Sequence, residues 1–175
     1  RPGAPTSRAQ AAVTSDRILQ RLREIPGIAS ASMSSVTPLG NTSWNEEMVI
    51  DDFSPADPDD AVSFFNAVSN DYFKTLNTPI RLGRDFNSGD RIGTRRVAIV
   101  NETMARKFYK TTNPIGKSLR YRVGAALSDP VEIVGVVKDA KYQTLREKTL
   151  PTTFMAIAQD SDRIGVNIEL RIPAG

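Results

Sequence analysis

The chain has 175 residues and a formal net charge of +3, and it contains neither cysteine nor histidine. These absences exclude disulfide bonds, thiolate nucleophiles, a Ser-His-Asp triad and the usual zinc sites. The chain contains no run of about 18 apolar residues, the length that could cross a membrane. The N-terminal "RPGAPTSRAQ" lacks the apolar core of a signal peptide. Because the chain begins without Met, we expect it to be a piece of a longer protein.

Acidic and basic residues separate along the chain. Residues 25–73 contain eight Asp or Glu and no Lys or Arg, whereas residues 74–122 contain twelve basic and three acidic residues. The simplest interpretation is two solvated faces of opposite charge that attract each other. A polyanion site is the alternative. The basic residues are not interleaved with aromatic ones as in single-strand binders, so we expect no nucleic-acid partner.

The first third of the chain predicts one helix and then strands. Residues 7–25 carry apolar side chains at helical spacing, and Pro26-Gly27 stops the helix. The segments "IASASMSSV", "EMVIDDF" and "AVSFFNAVS" are typical of strands, and "TPLGNTSWNEE" and "SPADPDD" are typical of loops. The small residues of the first strand indicate a close approach to another element.

A short helix is predicted after the third strand, in "NDYFKTLN". Asn70 or Asp71 is a candidate N-cap. The helix would carry Tyr72, Phe73 and Leu76 towards the core. The next segment, "TPIRLGRDFNSGD", is rich in turn residues and has room for one short extended piece.

The middle of the chain predicts a buried strand followed by a helix. Residues 97–100 are all apolar, which predicts burial of both strand faces. Asn101 is a good N-cap for the following helix. The buried stripe of that helix is expected to be Met104, Ala105 and Phe108.

The second half of the chain is dominated by strand patterns. "SLRYRV" alternates, with Leu119, Tyr121 and Val123 on one face and arginines on the other. "VEIVGVV" is the most strand-like segment, and Gly135 within it indicates a bulge or a close backbone approach. After the loop "KDAKYQTLREKTLP", "TTFMAIAQ" and "GVNIELRI" are the last strands. Strands outnumber helices without regular alternation, so the fold class is α+β.

The stretch "KTTNPIGKSLR" at residues 110–120 resembles the end of a nucleotide-binding P-loop. Residues 116–118 match "GKS", but Thr111 stands where the first glycine is required and Pro114 lacks an N–H donor. The stretch also connects a helix to a strand, the reverse of a P-loop. We therefore expect a turn with a solvated lysine and no ATP site.

The remaining catalytic candidates are carboxylates. Asp51/Asp52 and Asp59/Asp60 flank a Pro-rich loop, but adjacent strand residues point to opposite faces and do not make an acid–base pair. "DPDDAVSFFNAV" lacks the glycine and closing glutamate of a calcium loop. Residue types alone allow a Ser–Lys dyad, but no spacing singles one out. The lone tryptophan, Trp44, is either a half-buried loop plug or an exposed partner anchor.

Several stretches together resemble a known family. They are "LREIPGIASAS", "VSNDYFKTLNTPIRLGRDFNSGD", "VAIVNETMARKFY", "NPIGKSLR" and "VEIVGVVKDAKYQTLREKTLPTTF". Their order and spacing are similar to the MacB-like periplasmic core domain of ABC transporter permeases, in the MacB/FtsX superfamily. The resemblance covers roughly residues 15–172. Within it, "NPIGKS" is a family landmark at a turn rather than a phosphate site.

The resemblance implies a non-catalytic, extracytoplasmic domain of a cytoplasmic-membrane protein. ATP would be bound by a separate ATPase domain or subunit, so this domain would hold no cofactor, no metal and no catalytic residue. The implied role is mechanotransmission between ATP-driven membrane helices and events outside the membrane. The implied partners are a permease dimer mate, the cytoplasmic ABC ATPase through the membrane region, and a periplasmic adaptor or carrier protein.

The resemblance also implies two lobes. Residues 1–78 and 153–175 would form a porter-like α/β lobe, and residues 79–152 would form an inserted β-rich lobe with one main helix. Relatives continue beyond the equivalent of "ELRIPAG" with a further helix and strand. We therefore expect an incomplete porter-like lobe with an open sheet edge that favours pairing between copies.

Two other functions are compatible with the sequence. One is a free-standing periplasmic or secreted binding module with the same fold. The other is a carboxylate-based hydrolase, which would need a cleft that holds two converging carboxyl groups with raised pKa values.

Overall fold

The structure is a computed structural model that describes residues 8–40, 42–159 and 166–173, with residues 8–13 described by their backbone only. The helices are α1 (Arg8–Arg23), α2 (Tyr72–Thr75) and α3 (Glu102–Tyr109), with 3-10 turns at Pro58–Ala61 and Ile157–Gln159. The strands are β1 (Ser30–Ser34), β2 (Asn45–Val49), β3 (Val62–Val68), β4 (Ile80–Gly83), β5 (Val97–Asn101), β6 (Ser118–Val123), β7 (Ala126–Leu127), β8 (Val131–Val137), β9 (Thr152–Ala156) and β10 (Asn167–Arg171). No described helix has the length and apolar character needed to cross a bilayer.

All described strands belong to one hydrogen-bonded network. The strand order is β10-β1-β3-β2-β6-β8-β5-β9, with β4 against β8 and β7 against β6. β3 also pairs with β9, so β3, β2, β6, β8, β5 and β9 form a closed ring. The β3–β9 and β5–β8 pairs are parallel, and the other pairs are antiparallel. The predicted α+β class is confirmed, and the lobe boundaries stay a prediction, since the network is continuous across them.

The centre of the network follows the sequence prediction closely. Every residue of β5 is buried, as its continuous apolar run predicts. Its register with β8 shifts between Ala98 and Ile99, which confirms the irregularity predicted near Gly135. A Cβ atom on Gly135 would lie 2.4 Å from the Arg84 carbonyl oxygen. Only glycine lets β4 and β8 approach so closely.

Asn101 joins β5, α3 and β9. Its Oδ1 accepts the Met104 N–H at 2.9 Å, which confirms the predicted N-cap. The same atom accepts the Thr152 N–H at 3.0 Å, and Nδ2 donates to the Leu150 carbonyl at 2.8 Å. The predicted buried stripe of α3 is also confirmed. One buried amide therefore fixes the start of a helix and the start of a strand.

Two predictions of inward-facing side chains are wrong. Leu76 is 37% exposed, because α2 is a single turn and Leu76 lies just past its end. Val123 is 56% exposed. β6 follows the predicted alternation through Tyr121, but beyond it the strand pairs only with β7 in a hairpin that leaves the main network.

The predictions for β2 and for the N-cap of α2 also need correction. β2 begins at Asn45 and ends at Val49, so it includes part of the predicted loop and excludes Asp51 and Asp52, which lie in a turn. Glutamates are tolerated within β2 because its outer face is solvated. Asp71 occupies the N-cap position of α2 but makes no capping hydrogen bond; its carboxylate lies 3.2 Å from the Arg23 guanidinium.

Candidate functional site

The P-loop-like stretch is a structural turn. α3 ends at Tyr109 and β6 begins at Ser118, which confirms the predicted helix-to-strand connection. The Gly116 N–H donates to the Ile133 carbonyl at 2.9 Å, and the Lys117 N–H donates to the Pro114 carbonyl at 3.0 Å. These amides are therefore unavailable to a phosphate.

The acidic candidates do not converge on a site. Asp51, Asp52 and Asp59 are exposed. Asp60 is exposed as well and lies 3.5 Å from the Lys107 ammonium. No group of three or more potential metal ligands occurs within the described ranges. In the same ranges, no lysine hydrogen-bonds to a serine hydroxyl, so the structure gives a Ser–Lys dyad no support.

Trp44 is half-buried, which confirms the first of its two predicted roles, a loop plug. Its ring centroid lies 4.9 Å from that of Phe65, and its Nε1 donates to the Glu46 carboxylate at 2.6 Å. The ring packs against two groups of buried apolar side chains, one that includes Phe65 and one that includes Phe73. The tryptophan is therefore committed to the fold rather than free to anchor a partner.

The acidic and basic segments are joined by ion pairs. Besides Lys107–Asp60, the Arg122 guanidinium lies 3.1 Å from the Glu47 carboxylate. The expected attraction between the two segments is thus visible at these contacts. Exposed pairs of this kind contribute roughly 0–1 kcal/mol each.

A cleft of about 210 Å³ lies between α2, the loop of residues 138–142 and the adjoining ends of β5 and β9. Its floor is aromatic. Phe154 stands at the centre, with the ring centroids of Phe73, Tyr72 and Tyr142 at 4.9, 6.1 and 6.2 Å. All four rings are at least nine-tenths buried, so the floor is preformed.

The rim of the cleft combines apolar and basic side chains. Leu76 and Pro38 contribute apolar surface, and Lys138 and Lys141 contribute positive charge. Leu76, which the sequence prediction placed in the core, is thus an exposed residue of the cleft wall. None of the lining residues is acidic.

Nearby carboxylates are occupied by other partners. Asp139 accepts the Thr103 N–H and hydroxyl at 2.8 and 2.7 Å and pairs with Arg106 at 2.8 Å. The Glu147 carboxylate accepts the backbone N–H groups of residues 142–144. Neither carboxylate forms an ion pair with Lys138 or Lys141 within the described residues.

Lys138 and Lys141 differ in their own contacts. The Lys141 ammonium donates to the Glu147 carbonyl, which is a neutral acceptor. The Lys138 ammonium has no hydrogen-bond or ion-pair partner within the described parts of the chain. The rim therefore carries positive charge that a bound anion could neutralise.

A buried polar cluster lies behind the aromatic floor. Asn66 donates to the Tyr72 hydroxyl at 3.4 Å. The hydroxyl groups of Ser34 and Ser32 donate to the Glu169 carboxylate. The Tyr142 hydroxyl is buried without a hydrogen-bond partner among the described residues.

Burial sets the protonation of this cluster. It raises the pKa of Tyr72 and of Tyr142 well above the usual range, so both phenols stay neutral at physiological pH. Burial also raises the pKa of Glu169, against the opposing effect of the serine hydrogen bonds. The two neutral phenols thus pack as part of the aromatic floor.

Sequence reasoning did not find the cleft. Its lining comes from separated stretches, and the loop of residues 138–142 has the polar composition of an ordinary connection. The available signal was the pair of lysines just before a tyrosine in "KDAKYQ". The prediction of no catalytic, cofactor or metal residues stays a prediction.

Comparison with known proteins identifies relatives. The family model of the MacB-like periplasmic core domain matches residues 1–172. The ABC transporter permease YknZ of Bacillus subtilis (strain 168) is 30% identical over 73 residues, which is 42% of this chain and 17% of that protein.

Solved structures share the fold at low sequence identity. The periplasmic region of MacB from Actinobacillus actinomycetemcomitans superposes with a TM-score of 0.61 at 17% identity, over 90% of this chain and 64% of that one. The extracellular domain of the noncanonic ABC-type transporter YknZ from Gram-positive bacteria gives a TM-score of 0.59 at 16% identity, over 91% and 73% of the two chains. This chain thus spans less than two thirds of the MacB region. It belongs to the MacB-like periplasmic core domain family, the extracytoplasmic domains of MacB- and YknZ-type ABC transporter permeases.

Proposed function

We propose that this domain is a non-catalytic mechanotransmission element of an ABC transporter permease. A separate cytoplasmic ATPase hydrolyses ATP, membrane helices carry the motion outward, and paired copies of this domain convert it into handling of a substrate or partner protein outside the membrane. The observation that carries the proposal is the family match over residues 1–172.

The strand network supports a transmitting role. β3 lies in the first predicted lobe segment and β5 in the inserted one, and β9 pairs with both. A displacement of one lobe would therefore pass to the other through hydrogen-bonded strands. In addition, β1, which follows α1, pairs with β10, with the Ala29 N–H donating to the Arg171 carbonyl at 2.8 Å. The chain thus returns beside its early part, which is compatible with insertion between two membrane helices.

The local chemistry supports a non-catalytic role. The cleft is lined without a carboxylate, and the phenols on its floor stay neutral. The amides of the P-loop-like turn are occupied by protein acceptors. These observations favour binding or transmission over hydrolysis.

The test is a distance measurement in the assembled transporter. The chain contains no cysteine, so Leu145→Cys, at a side chain that is 74% exposed, gives one label per domain. We expect the spin–spin distance between the two copies in the reconstituted permease to change when ATP is bound. An ATPase whose own P-loop lysine is replaced is the control, and it should abolish the change. An identical distance distribution with and without ATP would contradict the proposal.

A second test is the sequence of the source reading frame on both sides of this chain. It separates the permease proposal from a free-standing binding module. Apolar stretches of about 20 residues on both sides would support the permease. A cleavable signal peptide and an early stop codon would instead leave a domain that works alone.

A further inference from the structure

We propose that the cleft beside the loop of residues 138–142 binds one apolar side chain of a partner protein, next to a carboxylate on the same partner segment. The binding itself stands on the cleft alone. Its consequence for transport rests on the proposed function, which it extends by naming the chemistry of the partner.

The size of the cleft selects the occupant. Pockets for drug-sized ligands measure about 300–1,000 Å³, and this cleft measures about 210 Å³. The space therefore suits a single leucine- or phenylalanine-sized group rather than a whole small molecule. Insertion of one such group into a concave site is the usual form of a binding hot spot.

The floor offers that group a rigid apolar surface. Phe73 and Phe154 meet edge to face, with an interplanar angle of 84°. Both rings are almost completely buried, so little ordering is needed on binding. Leu76 at the rim is exposed and would lose water contact when the cleft is filled.

The positive charge of the rim favours an acidic residue next to the inserted side chain of the partner. Lys138 has no ionic partner within the described parts of the chain, and Lys141 bonds only a carbonyl. Asp139 and Glu147, the nearest acids along the loop, are held by Arg106 and by backbone amides. An acidic residue beside the inserted side chain would satisfy this charge, whereas a basic one would be repelled.

The position of the cleft gives binding a structural consequence. Tyr72 and Phe73 come from the predicted porter-like segment, and Lys138 and Tyr142 come from the predicted inserted segment. An occupant would therefore contact both segments at once. Partner binding and the relative position of the segments would be coupled, as reciprocal linkage requires.

The test is an NMR titration of the 175-residue chain with short peptides. The probe is N-acetyl-Asp-Leu-Phe-Asp-amide, and the controls are the same peptide with Asn for Asp and with Ala-Ala for Leu-Phe. We expect saturable shifts of the Thr78, Ala140 and Lys141 amide signals with the probe, weaker shifts with the Asn peptide, and none with the Ala peptide. Shifts confined to other surfaces, or no saturable shift, would overturn the proposal.

Matched variants locate the binding. Lys138→Gln should weaken probe binding about two- to fivefold, the range of an exposed ion pair, and Ala140→Phe should fill the cleft and abolish binding. Lys148→Gln, at an exposed lysine of the same loop that does not line the cleft, should bind as the parent does. Equal affinities of the two lysine variants would refute the role of Lys138, provided that both spectra show a folded chain.

The two proposals fail separately. Peptide binding without an ATP-dependent distance change would leave the cleft site intact and overturn mechanotransmission. A distance change without peptide binding would support mechanotransmission and overturn the cleft site.

Discussion

Two lysine-bearing connections of this domain look similar in sequence and differ in the structure. The turn of residues 110–118 carries "GKS", whereas the loop of residues 138–142 reads "KDAKY". In the turn, backbone amides are bonded to carbonyls and the Lys117 ammonium lies 5.6 Å from the Tyr109 ring centroid. In the loop, Lys138 lines the cleft with the aromatic floor, and its ammonium has no hydrogen-bond or ion-pair partner among the described residues. The turn with the recognisable "GKS" motif is thus structural. The loop of residues 138–142, which has no motif, borders the candidate site.

The largest expected effect tests the structural character of the turn. Gly83, in β4 beside the turn, has φ +71°, and an added Cβ would lie 2.1 Å from the Val134 carbonyl oxygen and 2.9 Å from the Ile115 Cδ1. Gly83→Ala should lower the free energy of unfolding by about 3 kcal/mol, from backbone strain and overpacking together, measured by urea denaturation.

The matched control is Gly116→Ala, within the turn. Gly116 also has positive φ, but a Cβ there would meet nothing within 4 Å. We expect a loss of about 1 kcal/mol. Equal losses for the two variants would show that the turn is not packed as described.

Asn101, at the cleft, and Asn113, in the turn, form the next comparison. Asn101→Ala removes a helix cap and two further bonds, and it should cost about 2 kcal/mol. The exposed Asn113 accepts one N–H at 3.3 Å, so Asn113→Ala should cost under about 0.5 kcal/mol. Thermal and urea unfolding measure both, and a cost for Asn113 as large as that for Asn101 would contradict the comparison.

These examples show what sequence reasoning can reach. The cap at Asn101, the buried stripe of α3 and the bulge at Gly135 were predicted because each depends on neighbouring residues. The exposure of Leu76 was not, because it depends on where α2 ends. The cleft was not predicted either, since Phe73, Lys138 and Phe154 are brought together only by strand pairing.

Glu169, behind the cleft floor, gives a pH prediction. Burial raises its pKa above the ordinary 4.5, so the folded state binds more protons than the unfolded state as the pH rises from that value. Stability should therefore decline with rising pH through this window. Glu169→Gln should reduce the decline, and Glu24→Gln, at an exposed position, should not. Urea midpoints across a pH series test this, and identical pH slopes for the two variants would exclude the assignment.

The smallest expected effect concerns the two phenols behind the floor. The Tyr142 hydroxyl is buried without a described partner, so Tyr142→Phe should leave the free energy of unfolding within about 0.5 kcal/mol of the parent or raise it slightly. Tyr72→Phe removes a 3.4 Å bond with Asn66 and should cost about 0.5–1 kcal/mol. A clear loss of stability in Tyr142→Phe would contradict the absence of a hydrogen-bond partner among the described residues.

The most direct test of the cleft as the functional site compares the two connections in the working transporter. ATP turnover coupled to transport would be measured for the assembled permease carrying Ala140→Phe in the loop or Lys117→Gln in the turn. We expect the loop variant to lose coupling and the turn variant to stay within about twofold of the parent, because the Lys117 contact contributes only about 0.5–1 kcal/mol to the fold. Normal coupling in the loop variant, or loss of coupling in the turn variant, would refute a role of the cleft in transmission.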